Sequence, residues 1–492
     1  MNTIRHTAIS ASAGSGKTYQ LTNRFIQLLH YTEMPERIIA LTFTRTASGE
    51  FFQKIIEKLA DAAADPAIAN SLSKELKIDA DASRYHDLLE ILIKRMHQLN
   101  LQTLDSFFFR IVSSFALELG LSGSLNLLDE SSEPRMRNQV RDQIVHQQGE
   151  LSEEFNEFWQ AFKQATYGKE ERSVERIVSD YIERLYHLYL EAPAAGLWGQ
   201  ASRIWPAGCP WKPSSEPDWE ALASQIEASA EADLAKQRAF QTLLSDLRNY
   251  PAQEKMNTLL KRVFEQARSL FAGPCRLKVG KKEFDLGGEL CQALASGLRA
   301  IFWHHLQRSL QNTQGVYRIL QAYDENYDRI VRRAGKIAFA DLTHLLAPTN
   351  EASPVARIDP FARELMDFRL DGKFDHWLFD EFQDTSRAQW NVVSNLIDEV
   401  LQDNSGERSF FYVGDTKQCL YLWRNSDDRL FHEIKAGYDH IESNPLSTSW
   451  RSAPAILDAV NTVFSDPILI AECFSKDAAK RWARAWQSHQ AS

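Results

Sequence analysis

Residues Ala11 to Thr18 read ASAGSGKT, directly after the short apolar run His6–Ser10 and directly before a helical pattern. Few local sequences restrict a fold so much. A glycine-rich turn ending in Gly-Lys-Thr between a strand and a helix is a phosphate loop. Gly14 and Gly16 let the backbone turn so that successive N–H groups face phosphate oxygens, and the positive end of the next helix adds to them. Ala11, Ser12, Ala13, Gly14, Ser15, Gly16, Lys17 and Thr18 are therefore assigned to nucleotide binding. Lys17 is expected to reach the β and γ phosphates of ATP, and Thr18 to hold Mg²⁺. Ala11 stands where the usual pattern has its first glycine. The alternative, a Gly/Ser-rich turn without a ligand, explains neither the lysine nor the flanking strand and helix.

A loop of this kind needs a wound parallel sheet, and the chain supplies its rhythm. Up to about residue 118, β-like runs (His6–Ser10, Ile38–Phe43, Gln98–Leu104) alternate with amphipathic helices such as Tyr19–His30 and Ala47–Ala60. That pattern predicts an α/β fold. From about 119 to 335 the period is helical, with a Trp/Pro-rich interruption from Leu197 to Trp219 that reads as a packed surface loop. Strand-like runs return at His376–Phe379 and Phe410–Val413, so the sheet is expected to resume after a long helical insertion.

Bulk properties narrow the function classes. A chain of 492 residues is expected to hold two or three domains. Its net charge of −10 argues against a protein that coats nucleic acid, while leaving room for a local basic stripe. Cys209, Cys275, Cys291, Cys419 and Cys473 form no CxxC pair, which argues against a zinc ribbon, an iron–sulfur site or a disulfide framework. There is no signal-peptide core and no run of ~18 apolar residues, so a cytoplasmic protein without a membrane partner is expected.

HWLFDEFQDTSRAQW, residues 376–390, places Asp380 and Glu381 directly after an apolar strand. Beside a phosphate loop, one such carboxylate joins the Mg²⁺ shell and the next polarises the attacking water. Asp380 is expected to contact the metal through water and Glu381 to act as catalytic base. The alternative is an acidic loop in which Asp384 caps the following helix.

DEFQDTSRAQ resembles motif II of the UvrD/Rep/RecB helicases. FYVGDTKQCLYLWRNSD, residues 411–427, is similar to their motif III, with Gly414, Asp415, Lys417, Gln418, Tyr421 and Arg424 in place. LTFTRTASGEF (41–51) resembles motif Ia, QTLDSFF (102–108) the next DNA-contacting motif, and LSTSWRSAPAIL (446–457) motif IV. FADLTHLL (339–346) is similar to a segment that RecB-like and AddA-like members carry before motif II, and the opening ASAGSGKTYQLTNRFIQLL leans to that branch.

The resemblance implies a P-loop NTPase with a RecA-like parallel sheet domain, interrupted by a large helical insertion, and the start of a second RecA-like domain. Residues 1–118 and 336–445 would form the first motor domain, 119–335 the insertion, and 446–492 the beginning of the second. It further implies that Gln418 senses the γ-phosphate and couples it to DNA, and that Arg424 lies in the same coupling segment. Arg451 would reach the γ-phosphate, a role that suits a planar, always-charged guanidinium. Tyr421 and Trp423 are candidates for packing near nucleotide or DNA, with core packing the alternative for Trp423. Thr42, Phe43, Thr44, Arg45, Thr103, Asp105 and Ser106 match the family's DNA-contact motifs, where hydroxyl and Arg donors meet phosphates and rings stack on bases. Phe107 and Phe108 are more often core at such positions. Arg276, Lys278, Lys281 and Lys282 either touch duplex backbone or form a solvated basic loop.

The implied activity is ATP-dependent 3′→5′ DNA unwinding in recombination or repair. ATP and Mg²⁺ are the implied cofactors. The implied partners are DNA (a single strand or duplex end) and a possible second helicase/nuclease subunit. The competing reading is an ATP-binding non-motor or split subunit of a helicase–nuclease complex. A small-molecule kinase is disfavoured by the matches to motifs Ia, III and IV. No match to motifs V and VI follows Arg451, so a truncated or split motor, poor at unwinding alone, is expected.

Overall fold

A computed structural model describes residues 4–129, 131–146, 160–163, 165–166, 174–213, 215–250, 258–279, 282–350, 352–356, 360–419 and 426–491. They form two compact units, residues 1–136 with 328–492, and residues 137–327.

The first unit is built on a six-stranded sheet. Its strands are β1 (Thr7–Ser10), β2 (Ile38–Thr42), β3 (Asn100–Thr103), β4 (His376–Phe379), β5 (Ser409–Gly414) and β6 (Glu442–Ser443). They lie in the order β6-β1-β5-β4-β2-β3, with every neighbouring pair parallel. The register places Thr7 beside Phe411, Ile39 beside Trp377 and Ala40 beside Leu101. Parallel strands covered on both faces bury residues of either parity, and these do. Ile39, Leu41, Trp377, Phe379, Phe410 and Tyr412 enter one core. Ile38, Ala40, Leu378, Phe411 and Val413 enter the other. α1 (Lys17–Thr32) and α2 (Arg45–Ala64) cover the second face through Leu21, Phe25, Phe51 and Ile55. α3 (Leu104–Ser114) contributes Phe107, Phe108 and Ile111 to the first.

Residues 119–136, expected in the insertion, belong with the sheet unit. Leu121 joins the first core, and Asn126–Leu127 pair in parallel with Lys336–Ile337. Behind that small pair lies an ion pair with both partners 2% exposed: Arg332 Nε donates to Asp341 Oδ1 over 2.8 Å. The second oxygen of Asp341 accepts the Ala338 N–H at 2.8 Å.

At the opposite end of the strands from the phosphate loop, His376 is buried at the start of β4 with its Nδ1 3.0 Å from Ser409 Oγ. Burial, then the charges of Arg24 and Arg37, depress its pKa from 6.5 to about 3. His6 is held neutral on both sides: Nδ1 accepts the Phe410 N–H at 2.9 Å, and Nε2 faces the Asp403 carbonyl at 2.8 Å. A folded pKa below the unfolded one means that the unfolded chain takes up protons first. The His376 contribution is therefore intact above pH 6.5 and is lost as pH falls toward 3. Denaturant titrations should show His376→Asn losing about 2 kcal/mol less stability than the parent between about pH 7.5 and about pH 5. Equal losses in the two proteins would refute this assignment.

The 137–327 unit contains a 40-residue helix, α4 (Gly288–Tyr327), about 60 Å long at 1.5 Å per residue. Leu290, Leu294, Leu298 and Ile301 on its first half pack with Phe240, Leu244 and Leu247. Tyr323 and Tyr327 on its second half meet Tyr186. The expected basic loop is instead an antiparallel pair, Cys275–Val279 with Lys282–Leu286, in which Arg276 pairs with Asp285 at 2.7 Å. Alternating apolar residues, Leu277 and Val279, turn this segment into a half-buried ribbon. Lys281 lies outside the described residues. Among the described residues, no single helix is long and apolar enough to cross a membrane.

Candidate nucleotide and nucleic-acid site

The assigned residues gather at the carboxyl ends of the parallel strands, where open α/β sheets bind ligands. β1 ends at Ser10 and the loop turns through Gly14 (φ 74°) and Gly16 (φ 91°), left-handed values that favour glycine. Ser15 closes the turn, its N–H and Oγ both donating to the Ser12 carbonyl at 3.1 and 2.7 Å. α1 then begins at Lys17 with Gly16 as its N-cap and no side-chain cap. The α-helices after β2, β3 and β4 are capped: Thr44, Thr103 and Ser386 accept from Ala47, Ser106 and Gln389. The first-turn N–H groups of α1 are thus left for a ligand, and a helix start attracts anions.

Lys17 Nζ makes an ion pair with Glu381, which directly follows Asp380 at the end of β4. Glu381 is one of four non-glycine residues with positive φ among the described residues, at 49°. Residues other than glycine adopt that conformation only where the surroundings enforce it. Burial, and next the neighbouring Glu381 charge, push the Asp380 carboxyl up to about 6. Glu381 is paired with Lys17, while Asp380 feels Lys17 and Lys54 only through space and keeps oxygen lone pairs open to a cation. A divalent cation fits that donor set, with Thr18 and Asp380 as the residues to hold it.

Gln383, 2% exposed, ties this carboxylate to the end of β5. Its Nε2 donates to Glu381 Oε2 at 2.7 Å, and its Oε1 accepts the Asp415 N–H at 2.9 Å. Asp415, 1% exposed, in turn accepts from Gln418 Nε2 at 2.7 Å and pairs with Lys417 Nζ at 2.9 Å. A hydrogen-bonded chain therefore runs Glu381–Gln383–Asp415–Gln418. Gly414 makes room for it: a Cβ there would lie 2.6 Å from Gln383 Oε1. Gln383 stands within the DEFQDT motif, but nothing in its spacing along the chain shows that it bridges two strand ends.

The motif IV segment packs on the phosphate loop. The Leu446 N–H donates to the Ser10 carbonyl at 2.8 Å, Ser12 N–H to Leu446 O at 3.1 Å, and Trp450 N–H to Gly14 O at 2.9 Å. A Cβ on Gly14 would come within 2.8 Å of Arg451 Cβ, so the exposed Arg451 stands against the loop. Arg424, Tyr421 and Trp423 lie outside the described residues.

The DNA-motif residues cluster at the adjacent ends of β2 and β3. Thr42 is buried and donates to the Thr44 carbonyl at 2.9 Å. Thr103 is the buried cap of α3, sharing a 2.7 Å hydroxyl contact with Ser106. Asp105 accepts from Gln389 at 3.2 Å. Thr44 and Arg45 are exposed and Phe43, Asp105 and Ser106 half-buried, so Thr44 and Arg45 are the most available to a ligand. Thr42, Phe43 and Asp105 line one cleft together with Asp380, Glu381 and Gln389. Phe107 and Phe108 are fully in the core. Asp384 does not cap the next helix: Ser386 does, in a capping box with Gln389, because its hydroxyl sits three residues before that N–H.

A parallel sheet with an uncapped phosphate loop facing an acidic strand end defines a RecA-like P-loop nucleotide-binding protein. The model of the UvrD/REP helicase N-terminal domain matches residues 2–439, and the chain belongs to that family. It is 24% identical to an ATP-dependent helicase/nuclease subunit from Clostridium beijerinckii, over 93% of this chain and 38% of that protein. It is 22% identical to the corresponding proteins from Anoxybacillus flavithermus (94% of this chain, 39% of that one) and Listeria monocytogenes (93% and 38%). The chain thus spans under two fifths of the length of these relatives.

Proposed function

We propose that this chain carries the ATP-binding part of an ATP-dependent 3′→5′ DNA helicase that acts in the cytoplasm in recombination or repair. The carrying observation is the Lys17–Glu381 pair, which sets the phosphate-loop ammonium against the acidic strand end with Gln383 linking that end to Gln418. In this reading the loop N–H groups and Lys17 bind the ATP phosphates, and Arg451 adds positive charge from the opposite side. Thr18 and Asp380 hold Mg²⁺, which when bound neutralises phosphate charge. Glu381 takes a proton from the attacking water. Phe43, Thr44 and Arg45 contact single-stranded DNA, and movement of the 415–418 turn reaches Glu381 through Gln383.

A second reading makes the chain an ATP-binding subunit whose turnover needs a partner, such as a second helicase/nuclease subunit. It draws on the apolar surface beyond the phosphate loop, where Trp450, Ile456, Ile468 and Phe474 are each 58–74% exposed. Large apolar side chains exposed along one stretch of chain fit contact with a further polypeptide.

ATP hydrolysis by the purified chain, with and without single-stranded DNA, separates the two, with Lys17→Ala as blank. Turnover that rises at least tenfold with DNA and disappears in the blank supports the motor. Nucleotide binding without DNA-stimulated turnover supports the second reading, and absence of nucleotide binding removes both.

A further inference from the structure

The Trp/Pro-rich segment Leu197–Trp219 contributes Trp211 to a surface on the 137–327 unit. The Trp211 ring lies 4.9 Å from Phe302 on α4 and 5.8 Å from Phe271. Phe271 and Phe302 are 39% and 40% exposed. The Arg299 guanidinium, one turn before Phe302 on α4, sits 5.7 Å from the Phe271 ring centre. These rings touch one another and keep part of their faces open, which leaves room for a further ring to stack.

The charge along α4, which carries Phe302 and Arg299, is as distinctive. In a protein of net charge −10, α4 carries no Asp or Glu from Leu290 to Tyr323, while Arg299, Arg308 and Arg318 fall in that span. A stretch this long without acid, beside exposed rings and a guanidinium, is complementary to a polyanion with aromatic faces. An apolar protein partner would need the rings but would gain nothing from the missing acids.

We propose that Trp211, Phe271, Phe302 and Arg299 form a binding surface for single-stranded nucleic acid, with bases stacking on the exposed rings and Arg299 meeting the phosphates. This contact needs no ATP and goes beyond the motor reading.

The test is fluorescence anisotropy of the full chain with a labelled oligothymidylate, without nucleotide, using Phe302→Leu and Phe302→Trp. Leucine keeps the apolar contact and removes the aromatic face, whereas tryptophan restores it. Phe302→Leu is expected to weaken binding about fivefold or more, the low end of what one stacked base supplies, and Phe302→Trp to bind like the parent. If Phe302→Leu binds like the parent, or Phe302→Trp is as weak as Phe302→Leu, the proposal is overturned, and the surface then belongs to a protein partner or to the fold. The outcome is independent of the motor chemistry. DNA-stimulated hydrolysis with an unchanged Phe302→Leu affinity overturns this inference alone. A weakened Phe302→Leu and a restored Phe302→Trp in a chain without such hydrolysis uphold it while the motor reading fails.

Discussion

Glu381→Gln is expected to lower ATP turnover by a factor of about 10²–10⁴ while nucleotide binding survives. The substitution keeps the size of the side chain and an oxygen to accept the 2.7 Å bond from Gln383 Nε2, so the Glu381–Gln383–Asp415 chain persists. What it removes is the basic carboxylate and its charge. Losing the charge frees Lys17, whose ion pair it is, and takes away the second of the two causes that push Asp380 up to about 6. The freed ammonium favours the phosphates, and a more fully ionised Asp380 favours the divalent cation that accompanies them, so affinity for Mg-ATP should hold or rise. Single-turnover hydrolysis and fluorescent-nucleotide binding on the same preparation check it. Turnover within tenfold of the parent would remove Glu381 from the base role. A collapse of binding along with turnover would mark it as a structural partner of Lys17 instead.

The largest stability effect is expected at Asp341. Replacing it by alanine leaves the Arg332 guanidinium, 2% exposed, without the carboxylate 2.8 Å from its Nε, and also strips the Ala338 N–H of its acceptor. Removing one partner of a buried pair costs about 3–5 kcal/mol, and the low end is expected because Asp328 Oδ1 stays 3.9 Å from Arg332 Nη1. Asp341→Asn should cost less, since an amide oxygen still accepts from Ala338. The denaturant midpoint should fall in that order. A loss under about 1 kcal/mol for Asp341→Ala would mean that water or a neighbouring group reaches Arg332, and that the pair is not the anchor of this corner. Asp341 lies in the FADLTHLL segment that the sequence singles out, but its partner was not legible there. The pairing depends on a π-helical turn, Asp328–Arg332, placing Arg332 inward, and no residue pattern announces such a turn.

The legible part of the sheet was close to complete. The runs expected as strands at 6–10, 38–43, 98–104, 376–379 and 410–413 contain the cores of β1 to β5. Short apolar runs between helical periods, ended by glycine or acid, carry that information locally. Glu442–Ser443 was missed: it is two residues long, polar and exposed, and it becomes a strand only because β1 offers an edge. The strands at Cys275–Leu286 were missed because a run of lysines masks a two-residue alternation.

The sequence by itself determined the phosphate loop, the acidic strand end and the parallel αβ rhythm, since each rests on φ freedom, charge and apolar period within some ten residues. Only the tertiary structure decided which of these groups meet. Lys17 and Glu381 are 364 positions apart, and they touch because β5 and β4 follow β1 in the sheet and all three strands end at one edge. The Gln383–Asp415 link and the seat of Arg451 against Gly14 follow from that same strand order. Spacing along a chain cannot encode them, because strand order is fixed by the burial of both sheet faces at once and not by any one segment.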